Sequence, residues 1–141
     1  MSGVRAGAGS LRGDGSTADV TICNLYLQIV SCAICAIFEN WVIVERLKAH
    51  LNRGDEPRRF FWRDNVGQEI DLIEESAGRL RAWECKSGMI FVPEWTSGLE
   101  KFGHLAGQRA GRSHLVYGGD ESLSRQGIDV VSWRDAGNRR R

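Results

Sequence analysis

Gln68–Ile73, QEIDLI, and Trp83–Gly88, WECKSG, are two short runs in which charged residues fall between large apolar ones. Successive side chains of a strand point to opposite faces, so such alternation normally marks one buried and one wet face. Here Asp71 and Glu84 lie among Ile70, Leu72, Ile73, Trp83 and Cys85. A carboxylate in apolar surroundings is costly unless a partner compensates it, and a divalent cation is a common partner.

Glu75-Ser76-Ala77-Gly78-Arg79 separates the two runs, and Gly78 suits a tight hairpin turn. A two-residue turn at Ala77-Gly78 pairs Ser76 with Arg79. Counting outward, it pairs Ile73 with Ala82, Asp71 with Glu84 and Glu69 with Lys86. Glu84 and Lys86 then share one face of their strand, and Asp71 faces them from the next. Opposed Cβ atoms in such a pair lie roughly 5 Å apart, close enough for two carboxylates to share one divalent cation. Lys86 is placed to orient a water or to stabilise charge on a phosphate oxygen. Its plainer role is an ion pair with Glu69 across the strands.

Upstream, Phe38–Leu51 (FENWVIVERLKAHL) predicts a helix, with Phe38, Trp41, Val42, Val44, Leu47, Lys48 and Leu51 forming its core-facing side. Asn52-Arg53-Gly54 and Pro57 end it. RFFWR (Arg59–Arg63) reads as a strand, Asp64–Gly67 as a turn, Gln68–Glu74 and Leu80–Lys86 as the hairpin. Pro93 opens a second helix to Leu105, followed by strands at Ser113–Tyr117 and Ile128–Trp133. The order is helix, three-strand meander, helix, strand, strand: an α/β fold with a mixed central sheet flanked by helices.

The remaining segments are less structured in their signal. Residues 1–19 are rich in Gly, Ser, Ala and Arg and read as a disordered leader. Residues 20–35 form an apolar extension whose Asn24, Gln28 and Ser31 argue for a buried helix over a membrane span. Residues 36–135 hold the domain, and 136–141 a basic, solvated tail ending in Arg139-Arg140-Arg141. Cys32 and Cys35 form a lone CxxC without a second pair, so the cysteines are expected to be buried free thiols in a reducing cytoplasm. Cys85, on the strand face opposite Glu84, reads as core. His50, His104 and His114 show no triad or metal spacing and read as structural.

Composition narrows the function classes. With 141 residues and a net charge of +1, the chain is one domain plus tails, with no general affinity for polyanions. No GxxxxGK[ST] loop occurs, which excludes P-loop binding of a nucleoside triphosphate, and no glycine-rich dinucleotide loop follows a strand. Positive charge is local: Arg58, Arg59 and Arg63 surround one strand and are candidate phosphate contacts.

The order of a helical glutamate, then Asp71, then Glu84-x-Lys86 resembles the PD-(D/E)XK nuclease-like superfamily. More closely, FENWVIVERLK, FFWRDNVGQEIDLI, WECKSG, GLEKF, LVYGGD and VVSW resemble the C-terminal domain, domain of unknown function 4143, of a prokaryotic AAA+ ATPase family. The resemblance implies a restriction-endonuclease-like core. It also implies a site of Glu39, Asp71, Glu84 and Lys86, in which the acids, Asp71 and Glu84 foremost, hold Mg²⁺ while the lysine assists an attacking water at a phosphodiester. DNA and an ATPase domain or related protein are the partners it implies. Family members carry an ATPase domain before the FEN helix, which residues 1–35 do not resemble, so a truncated or misjoined reading frame or a stand-alone remnant is expected. The readings are thus a Mg²⁺-dependent deoxyribonuclease-like domain, a non-catalytic nucleic-acid- or partner-binding accessory module, or a remnant of the ATPase protein.

Overall fold

The computed structural model describes residues 17–55 and 58–138, with side chains described from Val30 onward. The leader up to residue 16 and Arg139–Arg141 of the tail lie outside the described residues, as does the side chain of Cys23. The chain divides into two compact units, one ending at Cys32 and one running from Ala33. The first is helical from Thr17, and the apolar extension and the FEN segment belong to one helix, α1 (Thr17–Leu51). Among the described residues, no helix is long and apolar enough to cross a membrane.

The second unit is built around the hairpin. β1 (Arg58–Arg63), β2 (Glu69–Ser76) and β3 (Arg79–Lys86) form the meander. A 3₁₀ turn (Pro93–Thr96) and α2 (Ser97–Ala106) follow, then β4 (Ser113–Tyr117), β5 (Leu123–Arg125) and β6 (Ile128–Ser132). The six strands make one mixed sheet in the order β1-β2-β3-β4-β6-β5. β3–β4 and β4–β6 are parallel, and the other neighbours are antiparallel. β5 escapes sequence reading because its three residues, Leu-Ser-Arg, are all exposed and carry no alternation.

The hairpin register is set by its turn. Ala77 and Gly78 both have positive φ, 49° and 76°, the signature of a tight turn whose twist matches that of the strands. Ser76 faces Arg79, Ile73 faces Ala82 and Leu72 faces Trp83, as counting from the turn requires. The paired ladder ends there, so Asp71 and Glu84 are not backbone partners, and Glu69 pairs with Arg63 on β1 instead of Lys86.

Apolar residues fill both faces of the sheet. On the α2 side Ile70, Ile73, Ala82, Leu99, Phe102, Leu115 and Val130 form one cluster. On the α1 side Val42, Leu72, Trp83, Val116, Val131 and Ala136 form the other. Ala136 is fully buried, so the domain reaches one residue into the segment read as tail.

α1 departs from the expected amphipathic reading. Val44 and Leu51 are 48% and 55% exposed, whereas Arg46 and His50 are buried one and two turns after Val42. The reason is a partner on the sheet. The Arg46 guanidinium donates to both oxygens of buried Glu74 at 3.2 and 3.0 Å, His50 Nε2 lies 3.1 Å from the same carboxylate, and Trp83 Nε1 donates to it at 3.1 Å. Burial pushes the Glu74 carboxyl up, but hydrogen bonding and charge from Arg46, with help from His50, outweigh it and hold the group below its ordinary value. Polar residues thus occupy an inward stripe because they satisfy one another. Cys32 and Cys35 are exposed, against the expectation of buried thiols, and residues 33–37 are members of neither core cluster.

Two outcomes test this account. Arg46→Ala strands Glu74 without its main partner and should lower stability by about 3–5 kcal/mol in urea unfolding, whereas an Arg46→Met/Glu74→Leu double variant should recover most of the loss. Ala77→Gly relieves a left-handed alanine and should raise stability by about 0.5–1 kcal/mol in the same measurement.

Candidate metal centre

The site begins with a defect in β2. Phe60 faces Ile73 and Trp62 faces Ile70, so two steps along β1 match three along β2. The extra residue falls at Asp71–Leu72 and is a β-bulge. Its effect shows in the core: Ile70 and Leu72, two apart in sequence, belong to clusters on opposite faces of the sheet. The bulge takes the Asp71 backbone out of the β2–β3 ladder, and its carboxylate closes the gap by accepting the Cys85 backbone N–H at 2.7 Å.

On β3, Glu84 and Lys86 share the face of Ala82, toward α2, and Lys86 Nζ donates to Glu84 Oε1 at 2.6 Å. This pair replaces the expected Lys86–Glu69 bridge, because Glu69 is held by Arg63 at 3.0 Å. Asp71, Glu84 and Lys86 line a cleft of about 390 Å³, together with Gln68, Glu69, Glu94 and Trp95. Gln68 and Glu69, which precede Asp71 in the chain, therefore sit beside the site. Glu94 is an addition that sequence reading missed; its one signal is its place directly after Pro93 at a helix start. Larger concavities lie beside His50 (about 560 Å³), between Trp41 and Trp133 (about 560 Å³) and beside His104 (about 440 Å³); the first also gathers Asp55, Glu75 and Arg58, but its Asp55 is exposed and its Glu75 is paired with Arg109.

Electrostatics distinguish this cleft from the rest of the sheet. Burial, then repulsion from Asp71, pushes the Glu84 carboxyl up to about 7 despite the Lys86 ammonium beside it. Burial likewise raises Asp71, although the Cys85 N–H and Lys86 act against it. Glu39 on α1 joins the same field: burial, then Asp71 and Glu69, raises it. For Lys86, burial opposes the charge, yet the bond to Glu84 and the surrounding acids win and its pKa rises. Burial, then the carboxylates of Asp71 and Glu84, pushes the Cys85 thiol well above its ordinary value, so it is no nucleophile. Three acids thus resist ionisation around one fixed cation.

Glu84 Oε2 is buried and has no hydrogen-bond partner among the described residues. A divalent cation would supply that missing interaction and reverse the repulsion between Glu84 and Asp71. Hard carboxylate oxygens suit Mg²⁺ or Mn²⁺. Among the described residues, no group of three or more His, Cys, Asp or Glu side chains is disposed to hold one ion. Asp71 and Glu84 would then be the protein ligands, with water and substrate oxygens completing the shell, as is common for Mg²⁺. Glu39 is an electrostatic neighbour.

A family model for a domain of unknown function, DUF4143, matches residues 35–136. The chain belongs to the DUF4143 family. No curated protein and no solved structure matches it. The DUF4143 span takes in the Glu39 turn of α1, all six strands and α2, so every residue of the cleft lies inside it.

Glu84 gives a direct test. Its folded pKa, about 7, lies above the ordinary 4.5, so the metal-free folded state binds the extra proton between those values. The stability this contributes is present below the lower value and is lost as pH rises through the upper one. In EDTA, Glu84→Gln should therefore gain stability over the wild type as pH rises from about 5 to about 8, read by urea unfolding. A constant difference across that window would show that Glu84 ionises normally.

Proposed function

We propose that this DUF4143 chain is a nuclease-like domain of the PD-(D/E)XK type, binding Mg²⁺ through Asp71 and Glu84 and hydrolysing phosphodiester bonds in DNA. The observation that carries the reading is the buried Glu84 oxygen without a donor, set beside a second raised carboxyl and a charged lysine. The element order supports it: α1, a β1-β2-β3 meander, α2 and then β4 parallel to β3 is the arrangement expected of a restriction-endonuclease-like core.

Bound Mg²⁺ supplies Lewis-acid stabilisation of phosphate charge and a more acidic water. The protein's own groups do the rest. Lys86, its pKa raised, stays an ammonium at neutral pH; it cannot act as a base, but it donates hydrogen bonds to a phosphate oxygen or to the attacking water. Asp71 is fixed by the Cys85 N–H and so is oriented before any ligand arrives. Arg58 and Arg59 are exposed and make no ion pair among the described residues, which leaves them available to phosphates. Arg63 must first exchange Glu69 for a phosphate. Glu39 adds to the negative field that attracts the cation.

A second reading, a non-catalytic module that binds nucleic acid or an ATPase partner, is favoured by one observation: no third ligand completes the pair of acids among the described residues. The two separate in one experiment. Purified protein with Mg²⁺ or Mn²⁺ should cut DNA, and Asp71→Asn should reduce cleavage by about 100-fold or more. Calorimetric Mn²⁺ binding should disappear in Asp71→Asn and Glu84→Gln alike. Equal inertness of wild type and Asp71→Asn would end the catalytic reading, and retained DNA affinity in Glu84→Ala would then support the accessory module.

A further inference from the structure

β1 has an unusual content for the edge of a sheet. It is RRFFWR, it pairs only with β2 among the described strands, and its outer side is free of any other. Trp62 tucks inward and meets Phe102 edge to face at 5.9 Å. Phe60 and Phe61 do not: they are 49% and 70% exposed. An open edge bearing large exposed aromatics invites pairing and aggregation unless something covers it.

Three features identify what covers it. By strand alternation Phe61 shares a face with Arg59 and Arg63, while Phe60 shares the other with Arg58, so each exposed ring stands beside guanidinium groups. Phe61 lies opposite the bulged Asp71–Leu72 step, so the ring is next to the strand that carries the candidate metal ligand. Of the four acids on neighbouring β2, Glu69 is engaged with Arg63, Glu74 with Arg46 and Glu75 with Arg109, while Asp71 accepts the Cys85 N–H, so among the described residues none of them is paired with Arg58 or Arg59. A second copy of the chain would bring Arg58 and Arg59 against the same two uncompensated arginines at this edge. A polyanion with flat apolar faces meets no such repulsion.

We propose that β1 is a stacking platform for unpaired nucleotides, with bases on Phe61 and Phe60 and phosphates on Arg58 and Arg59, so that the nucleic acid this chain takes up is single-stranded. The proposal rests on the reading of the Asp71–Glu84 cleft as a phosphodiester site. Bases inside a duplex are already stacked on one another and expose only their edges, so they cannot use a phenyl ring standing off a sheet. Unpaired bases can, and do so with little regard to sequence because each has a π face.

The test is fluorescence anisotropy in EDTA, where no cleavage occurs, using an oligo-dT of about 20 nucleotides and a duplex of the same length. The single strand should bind more tightly than the duplex. Phe61→Ala should weaken single-strand binding by about tenfold or more, the loss expected from one stacked base, and leave duplex binding unchanged. Phe61→Tyr should retain affinity, and Arg59→Gln should weaken binding and flatten its dependence on salt. All three positions are exposed, and matching thermal melts by circular dichroism will show that the variants fold. Equal affinity for duplex and single strand overturns the platform, as does an unchanged Phe61→Ala. A dimer that dissociates on Phe61→Ala in sedimentation, without single-strand preference, assigns the edge to a second copy and overturns it too. Because metal is absent throughout, the result is independent of the cleavage assay: an inert cleft with an intact platform, or the reverse, separates the two readings.

Discussion

A carboxylate buried in a protein interior must be compensated, and the two sides of this sheet meet that constraint in opposite ways. On the α1 side Glu74 receives Arg46, His50 and the Trp83 indole N–H, and its pKa falls. On the α2 side Glu84 receives one ammonium, faces a second carboxyl, leaves one oxygen without a donor, and its pKa rises to about 7. Both glutamates are almost wholly buried on adjacent strands of one sheet, so burial alone does not explain the difference. What differs is the supply of partners. Glu74 is an acid completed by the chain itself, whereas Glu84 keeps one oxygen without a partner among the described residues.

The placement of the second acid depends on a single extra residue. Without the bulge, Ile70 and Leu72 would share a face and Asp71 would continue the β2–β3 ladder as a backbone partner of Glu84. With it, the ladder stops after Leu72–Trp83, and the Asp71 carboxylate takes up the free Cys85 N–H. β3 changes company at the same place: its early residues pair antiparallel with β2, while Trp83–Lys86 pair parallel with β4. Glu84 and Lys86 thus remain anchored on one side while the other opens, which produces a cleft lined by charged side chains without breaking the sheet.

Much of this was legible in the sequence because it follows from local rules. Ala77-Gly78 sets the hairpin and its first pairs, and the acid-apolar alternation singles out Asp71, Glu84 and Lys86. The element order gives the mixed sheet with helices on both faces. The misses have physical causes as well. A bulge has no signature in QEIDLI, since it changes which residues face each other without changing their identity; the expected Asp71–Glu84 and Glu69–Lys86 pairs fail for that reason. The inward stripe of α1 is not legible in its own residues, because Arg46 and His50 pass for solvent-facing residues until Glu74, buried 28 residues from Arg46, meets them. The apolar neighbours of Cys32 and Cys35 predict burial, but both thiols are exposed, because apolar sequence alone does not supply a surface to pack against.

The two glutamates are also mechanically connected, through Trp83. Its indole N–H is held by Glu74 at 3.1 Å, the Arg46 guanidinium lies 4.1 Å from the ring centre, and His114 stacks on the ring at 4.0 Å. His114 itself is buried with neither ring nitrogen hydrogen-bonded among the described residues, and burial drives its pKa down to about 4, so it contributes a neutral flat face. Trp83 is thereby gripped by a cation, a carboxylate and a neighbouring ring, one residue before Glu84. A mutually repelling pair of acids would normally relax by rotating into solvent or by letting the strand shift. Here the strand cannot shift without breaking the buried network behind it. The satisfied glutamate on one face thus holds the unsatisfied one in place on the other.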